Sequence, residues 1–256
     1  MSNLLQNRQT AVPAFSGENP QEATDYEQSF SELLEGLREE GRYRVFLDIG
    51  RQVGGNPRAH VRGIEGVKHV DVWCSNDYLG MSHHPSVIQA VEDALHTYGA
   101  GAGGTRNISG THHLLVDLEE ELAELHEKQG ALLFTSGFVA NDTALSTLGA
   151  VLKDSIILSD ANNHASMIAG IRNSRTERAI FRHSDPEHLG HLLQQISPSR
   201  PKIVAFESIY SMEGDIAPLA ELIEVCKRFG AFIYIDETHA VGVYGKRGGG
   251  IVADQG

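Results

Sequence analysis

Between residues 131 and 236, short apolar runs alternate with segments whose apolar residues recur at helical spacing. Short apolar, β-branched runs are typical of buried strands. Alternation of strands and helices predicts βαβ units, which build a mostly parallel sheet with helices on both faces. The sequence therefore predicts an α/β fold, with strands at 131–135, 155–159, 179–182, 203–207 and 232–236 and helices at 139–151, 164–174, 186–196 and 218–229.

The rest of the chain adds two predicted parts before this domain. Residues 1–23 are polar and show no apolar periodicity, which is typical of a disordered leader. Residues 24–70 form an N-terminal segment, and residues 71–256 form the large domain. The further elements that we expect are helices at 25–41, 85–98 and 114–128, a small hairpin at 58–70 and a strand at 72–74.

The excess of acidic residues argues against two classes of binding partner. With 34 acidic and 21 basic residues, the 256-residue chain carries a formal net charge of −13. This excess argues against nucleic-acid partners and against a polybasic membrane-binding surface. No apolar run approaches the ~20 residues that cross a bilayer. The two cysteines, Cys74 and Cys226, form neither a disulfide framework nor a zinc-binding pattern, so we expect a cytoplasmic protein.

A glycine-rich segment at 99–104 formally matches the dinucleotide-binding pattern G-x-G-x-x-G. That fingerprint follows a strand and opens a helix. Here the segment follows a predicted helix and leads into a polar stretch at 105–111. We therefore exclude a dinucleotide site.

Polar residues follow several predicted strands, at the edge where open α/β sheets bind ligands. Ser136 and Gly137 open a helix, and the N–H groups of a helix N-terminus suit a phosphate, although Ser136 could equally be a plain helix cap. His164 could cap a helix, bind a metal or stack on a planar ligand. No second histidine stands at a zinc-binding spacing on the same element, so we expect no metal site.

Asp236 ends the last predicted strand, and His239 follows it by three residues. A carboxylate that pairs with a pyridinium nitrogen, a ring that stacks on the cofactor, and a phosphate held at a helix N-terminus are the protein parts of a pyridoxal phosphate site. The carboxylate favours the cationic ring by Coulomb attraction and hydrogen bonding. These residues together predict pyridoxal 5'-phosphate as the cofactor.

Five ordered segments resemble the motifs of the α-oxoamine synthases. These are fold-type I pyridoxal phosphate enzymes, which join an amino acid to an acyl-CoA with loss of carbon dioxide. The resemblance extends from about residue 26 to residue 256. It is carried by Ser-Asn-Asp-Tyr-Leu-Gly at 75–80, Gly-Gly-Thr-Arg-Asn-Ile-Ser-Gly-Thr at 103–111, Asn-His-Ala-Ser-Met-Ile at 163–168, Ser-Met-Glu-Gly-Asp at 211–215 and Asp-Glu-Thr-His-Ala-Val-Gly at 236–242.

Two segments, 41–46 and 104–111, most resemble the family members that condense glycine with succinyl-CoA in tetrapyrrole and heme biosynthesis. The resemblance therefore implies a pyridoxal phosphate-dependent acyltransferase with glycine and succinyl-CoA as substrates. Since the active site of the family lies between two subunits, it also implies a homodimer.

The resemblance assigns three residues to the cofactor ring. Asp236 would pair with the ring nitrogen, His164 would stack on the ring, and His239 would donate to or accept from the ring oxygen. Ser211 would contact cofactor or substrate. The residues implied around the cofactor and its phosphate are Ser136, Gly137 and Phe138.

Four residues are assigned to the substrates. Asn76 would lie close to the carboxylate of glycine. Arg44, Thr105 and Asn107 would form the succinyl pocket, with Arg44 and Asn107 reaching the distal carboxylate and Thr105 favouring glycine by crowding its α carbon. Without the resemblance Arg44 would be interpreted as a solvated surface arginine, but an arginine suits a terminal carboxylate because it can bind both oxygens.

The family's Schiff-base lysine lies in a Thr-x-x-Lys motif a few tens of residues beyond the segment 236–242. None of the lysines of this chain stands in such a motif, so we assign no catalytic lysine. We therefore expect that the C-terminal portion of the fold is absent and that residues 71–256 are an incomplete cofactor-binding domain with an aggregation-prone sheet edge. A fragment of a longer enzyme is the expected explanation, and a naturally shortened paralogue is the alternative.

Two other functions stay open. The first is another α-oxoamine synthase, of the amino-oxononanoate or aminoketobutyrate type, which acyl-CoA preference would distinguish. The second is a non-catalytic remnant that dimerises with an intact homologue, which co-purification with that homologue would support.

Overall fold

The computed structural model describes residues 25–55, 57–63 and 66–256. The predicted disordered leader, residues 1–23, lies outside this part of the chain. The structure has two units, which divide between Trp73 and Cys74, and each unit contains its own sheet. The boundary expected from the sequence lies after residue 70.

The first unit combines one helix with an antiparallel sheet. Helix α1 spans Tyr26–Glu39 and begins after Asp25, whose side chain accepts a hydrogen bond from the Gln28 backbone at 3.1 Å, as an N-cap does. The strands are β1 (Asp48–Arg51), β2 (Arg58–Gly63) and β3 (Gly66–Asp71), in the order β1-β2-β3. β2 and β3 form the hairpin that the sequence predicts at 58–70, with β3 extending one residue further to Asp71, and β1 adds a third strand.

The second unit contains a four-stranded parallel sheet in the order β5-β4-β6-β7. Helices connect its strands, as the alternating pattern predicts. The helices are α2 (Pro85–Tyr98), α3 (His113–Leu125), α4 (Gly137–Val151), α5 (Ala165–Asn173), α6 (Pro186–Gln194), α7 (Leu219–Arg228) and α8 (Ile251–Gln255), and the strands are β4 (Ile156–Asp160), β5 (Glu177–Phe181), β6 (Lys202–Glu207) and β7 (Phe232–Asp236).

Strand β6 shows why helices cover both faces of this sheet. All of its residues are buried. Ile203 and Ala205 pack into one apolar cluster with residues of α4 and α5, whereas Val204 and Phe206 pack into a second cluster with residues of α6 and α7. Side chains of a strand alternate between faces, so a strand that is buried throughout has cover on both sides.

Two predicted strands are wrong. Residues 131–135 and residues 72–74 are not strands in the structure. In the first segment the N–H of Leu133 donates to the Glu119 side chain at 2.8 Å, and in the second the N–H of Val72 donates to the Pro57 carbonyl at 2.9 Å. The Leu133 bond satisfies one backbone group without a strand ladder, and the Val72 bond lies directly beyond the pair of Arg58 and Asp71, where the β2–β3 ladder ends.

Within the described residues, no helix is long and apolar enough to cross a membrane.

Candidate functional site

Three acidic residues end neighbouring strands of the parallel sheet. Asp160 is the last residue of β4, Glu207 the last residue of β6 and Asp236 the last residue of β7. Because the strands are parallel, these residues lie at the same edge, and Glu207 and Asp236 are register partners. This edge is where ligands bind in open α/β sheets.

Asp236 is held by one donor on each carboxylate oxygen. The backbone N–H of Thr238 donates to Oδ1 at 2.8 Å, and the side-chain amide of Asn141 donates to Oδ2 at 2.7 Å. A carboxylate oxygen has a second lone pair, so Asp236 can still accept a bond from a cationic ligand. The sequence did not identify Asn141 because a helical asparagine carries no signal of its own.

His164 lies between β4 and α5 and caps α5. Its Nδ1 accepts the Ser166 backbone N–H at 3.2 Å, which confirms one of the three interpretations of this residue. Its exposed ring meets the ring of Phe138 edge-on, with centroids 6.3 Å apart. The described part of the chain contains no group of three His, Cys, Asp or Glu side chains that could hold a metal ion.

The N-terminus of α4 lies beside the segment that follows Asp236. A Cβ atom at Gly137 would lie 4.0 Å from Thr238 Oγ1. Ser136 is the cap of this helix, and its Oγ accepts the Val139 N–H at 3.2 Å. The first N–H groups of a helix have no partner within the helix and favour an anion. The predicted phosphate position is therefore close to the predicted ring-binding carboxylate.

Glu207, at the end of β6, holds the backbone of His164 by a hydrogen bond. Its Oε1 accepts the His164 backbone N–H at 2.6 Å, and the residue is only 2% exposed. Burial is the main cause that raises the pKa of Glu207 to about 7. The negative charges of Asp236 and Asp160 raise this pKa further, whereas the hydrogen bond from the His164 N–H lowers it. Glu207 therefore exchanges a proton near neutral pH.

His183 links the end of β4 to the loop at 208–216. Its Nδ1 lies 2.9 Å from Asp160 Oδ1, and its Nε2 lies 3.0 Å from Asp215 Oδ2. Burial lowers the pKa of His183, but hydrogen bonds and attraction to the two carboxylates outweigh it and raise the pKa above its usual value. The linked loop carries Ser211, which is exposed.

His239 has a partner that sequence reasoning missed. The hydroxyl oxygen of Tyr78 lies 2.7 Å from His239 Nδ1, across 161 residues of sequence. Tyr78 lies inside the motif at 75–80, so the resemblance offered a signal, although no role was assigned to this tyrosine. Asn76, in the same motif, is exposed.

The segment with Thr105 and Asn107 is an exposed turn that one ion pair anchors. Arg106, between them, donates to both carboxylate oxygens of Glu119 in α3, at 2.6 and 2.9 Å. The side-chain hydrogen bond from Arg106 is the main cause that lowers the pKa of Glu119 to about 2. Arg44, the other residue predicted for the succinyl pocket, belongs to the first unit and is exposed between α1 and β1.

Comparison with known proteins gives one family and several close relatives. Residues 68–253 match the family described as aminotransferase class I and II. A 5-aminolevulinate synthase from Rhizobium meliloti is 54% identical over 232 residues, which are 91% of this chain and 57% of that protein. The erythroid-specific mitochondrial 5-aminolevulinate synthase of Homo sapiens is 50% identical over 253 residues, which are 98% of this chain and 42% of that protein. The chain thus spans about half the length of these curated relatives.

A solved structure shows the same fold. It is a serine palmitoyltransferase variant from S. paucimobilis with a bound PLP–myriocin aldimine, 34% identical with a TM-score of 0.80. The match covers 91% of this chain and 60% of that chain. The α/β fold predicted from the sequence is therefore confirmed as a pyridoxal phosphate-dependent transferase fold, of which this chain covers a part.

Proposed function

The chain belongs to the aminotransferase class I and II family, and from this premise we propose that it shares the cofactor and the reaction of 5-aminolevulinate synthases. In that reaction glycine and succinyl-CoA give 5-aminolevulinate, CoA and carbon dioxide. One observation carries the proposal: the Asp236 carboxylate is fixed by two donors at the carboxyl edge of the sheet, beside the N-terminus of α4.

The residues at this edge fit pyridoxal phosphate. The cofactor has a basic ring nitrogen, a flat ring, a ring oxygen and a phosphate. Asp236 offers a carboxylate to the nitrogen, His164 an exposed ring to the flat face, and His239 a ring nitrogen to the oxygen. The phosphate would bind at the helix N-terminus formed by Ser136, Gly137 and Phe138, and Ser211 would contact cofactor or substrate.

The bound cofactor would supply an electron sink for negative charge at the α carbon of glycine. Residues of this chain set the conditions for that chemistry. Asp236 would hold a proton on the ring nitrogen by its negative charge. His164 would cover one ring face and keep water from it, and Tyr78 would fix the orientation of the His239 ring through the 2.7 Å contact. No lysine of this chain is assigned to the Schiff base.

The substrates would bind to residues outside the cofactor set. Asn76 would orient the glycine carboxylate, and Thr105 would leave room for glycine alone beside the reacting carbon. Arg44 and Asn107 would bind the distal carboxylate of succinyl-CoA, the arginine through two parallel hydrogen bonds. We also propose a homodimer, which the resemblance supports and which light scattering on the purified protein would test. The cytoplasmic location that we propose rests on the two cysteines, which form neither a disulfide framework nor a zinc-binding pattern.

Binding of pyridoxal phosphate tests the cofactor site directly. Equilibrium dialysis should show one bound cofactor per chain, and Asp236→Asn should weaken binding about ten- to a hundredfold because a charge-assisted hydrogen bond is lost. Asp154→Asn is the matched control, since Asp154 precedes β4 at the opposite edge of the sheet. Equal binding by the wild type and by Asp236→Asn would contradict the proposed cofactor site.

Binding of acyl-CoA tests the substrate. Calorimetry should show tighter binding of succinyl-CoA than of acetyl-CoA, and Arg44→Leu should remove the difference because acetyl-CoA has no distal carboxylate. Arg178→Leu, at an exposed arginine of β5, is the control and should leave the preference unchanged. A preference that survives Arg44→Leu would favour another acyl-CoA-dependent synthase.

A further inference from the structure

Three polar side chains near Asp236 have no role in the proposed function. They are Asn141 of α4, Ser166 of α5 and Tyr234 of β7. Asn141 is 7% exposed and Ser166 is fully buried. Buried polar groups lower stability unless they are hydrogen-bonded. We therefore identify the donor and the acceptor of each hydrogen bond in this cluster.

Asn141 uses all of its hydrogen-bonding groups that face this cluster. Its Nδ2 donates to Asp236 Oδ2 at 2.7 Å and to Ser166 Oγ at 3.0 Å. Its Oδ1 accepts the Tyr234 hydroxyl at 2.7 Å. One asparagine therefore connects a strand, two helices and the candidate ring-binding carboxylate.

The direction of the Asn141 amide is fixed by the Asp236 carboxylate, which can only accept and therefore takes the Nδ2 group. Burial first, and the charge of Asp236 second, raise the pKa of Tyr234 to about 12, so its hydroxyl keeps its proton at neutral pH and can donate it to Asn141 Oδ1. A tyrosine hydroxyl that donates requires Oδ1 on its side and leaves the two N–H groups for Asp236 and Ser166. The reversed amide would place Oδ1 against the carboxylate, two acceptors would face each other, and the bond to Asp236 would be lost.

The same chain of bonds reaches His164. Ser166 Oγ accepts one proton from Asn141, so its own proton is directed to His164 Nδ1, 2.7 Å away. That nitrogen also accepts the Ser166 backbone N–H. Since Nδ1 acts as an acceptor, the ring proton of neutral His164 lies on Nε2.

We propose that Asn141 is a positioning residue that fixes the Asp236 carboxylate and the His164 ring relative to each other, so that both meet one flat cationic ring. The inference rests on the proposed function, because it takes the cofactor ring as the ligand that both residues face. Tyr234 and Ser166 serve this positioning: Tyr234 holds the amide oxygen of Asn141 by a hydrogen bond, and Ser166 connects the amide to His164.

The chain contains a matched contact for comparison. Asn173 of α5 donates to Asp142 of α4 at 2.8 Å, between the same two helices. This second asparagine–aspartate bond is exposed and lies outside the cluster. Substitution at Asn173 therefore removes the same kind of bond without touching Asp236 or His164.

The experiment measures pyridoxal phosphate labelled with 15N at its ring nitrogen, bound to the full chain. In the wild type the 15N shift should be that of a protonated ring. Asn141→Leu should move the shift towards that of the unprotonated ring and weaken binding about tenfold or more, because Asp236 loses a donor that orients it. Asn173→Leu should change neither quantity.

Tyr234→Phe is the second variant and keeps the inference testable if Asn141→Leu does not fold. It removes one hydroxyl and leaves the packing in place, so we expect the same direction of change with about a fivefold loss of affinity, as for one neutral hydrogen bond. Circular dichroism shows whether each variant is folded.

The outcomes separate the two proposals. If the wild type binds the cofactor with a protonated ring and Tyr234→Phe and every folded Asn141 variant leave both the 15N shift and the affinity unchanged, the positioning role of Asn141 is wrong and the proposed cofactor site stands. If the wild type does not bind the cofactor, the proposed site is wrong and the inference falls with it.

Discussion

The two units of the chain differ in what their apolar residues do. In the second unit every residue of β4 and β6 is buried between helices. In the first unit α1 has no buried residue, and Leu33, which belongs to its apolar stripe, is 63% exposed. The candidate cofactor residues Asp236 and His164 thus lie next to a packed sheet, whereas Arg44 lies on a segment without such support. Under the proposed function, cofactor binding and acyl-CoA selection would therefore depend on parts of the chain that differ in how well they are packed.

The largest expected effect tests the packing contrast itself. Leu158→Ala, at a fully buried position of β4, should lower the free energy of unfolding by about 2–5 kcal/mol because it removes buried surface and leaves a cavity. Leu33→Ala, on the exposed stripe of α1, should cost less than about 0.5 kcal/mol. Urea unfolding followed by circular dichroism measures both. Equal losses would show that α1 is as well packed as the sheet.

The next effect comes from the buried carboxylate of the second unit. The pKa of Glu207 rises from 4.5 to about 7 on folding, so between these values the folded protein binds more protons and wild-type stability falls as pH rises. Glu207→Gln keeps an acceptor for the His164 N–H and should be the more stable protein above pH 7, by as much as about 3 kcal/mol. The advantage should shrink towards pH 4.5. Glu39→Gln, in the first unit, should change stability by less than about 0.5 kcal/mol.

A smaller effect compares a histidine of each unit. His183→Gln should destabilise the protein by about 1–3 kcal/mol, because it removes the bridge between Asp160 and Asp215. Since the pKa of His183 is raised, its contribution is complete below its usual pKa and is lost as pH rises through the folded value. The loss should therefore be greater at pH 5.5 than at pH 8.5. His60→Gln, at a residue paired with His69 across β2 and β3, should cost much less.

The smallest effect is local and lies within the second unit. Glu119→Gln removes the charge that Arg106 contacts, so the turn with Thr105 and Asn107 should open more often while global unfolding stays unchanged. Hydrogen exchange of the Leu133 amide should become faster, because its acceptor is Glu119. In the wild type the same protection should be lost only as pH falls from 4.5 towards 2. Unchanged exchange would mean that the ion pair does not anchor the turn.

The sequence predicted the parallel sheet well because its strands are short, apolar and separated by periodic helices. The predicted strand at 203–207 is observed as Lys202–Glu207, and the one at 232–236 has the observed bounds. The run at 131–135 has the same composition, yet it is not a strand because Leu133 bonds to a side chain instead of a strand. An apolar run predicts a buried strand, yet Leu132 in this run is 64% exposed, and the run does not show which partner each backbone group finds.

The sequence predicted candidate site residues only where the type of a single residue and its position after a predicted strand were informative. Asp236 and His164 stand at the ends of predicted strands, and the structure brings both to the same edge of the sheet. Asn141 and Tyr78 were missed because their partners are 95 and 161 residues away in sequence. The roles of all the predicted site residues stay predictions: Arg44, Asn76, Thr105, Asn107, Ser136, Gly137, Phe138, His164, Ser211, Asp236 and His239.

These long separations have a kinetic consequence. The bond between Asn141 and Asp236 closes a loop of 95 residues, and parallel strands in the order β5-β4-β6-β7 pair only after their helical crossovers have formed. Contacts that are distant in sequence form slowly because chain entropy must be lost before they contribute. On refolding, helix formation should therefore precede the contact between Asn141 and Asp236, and a nascent chain emerging from the ribosome would reach residue 236 before that contact forms.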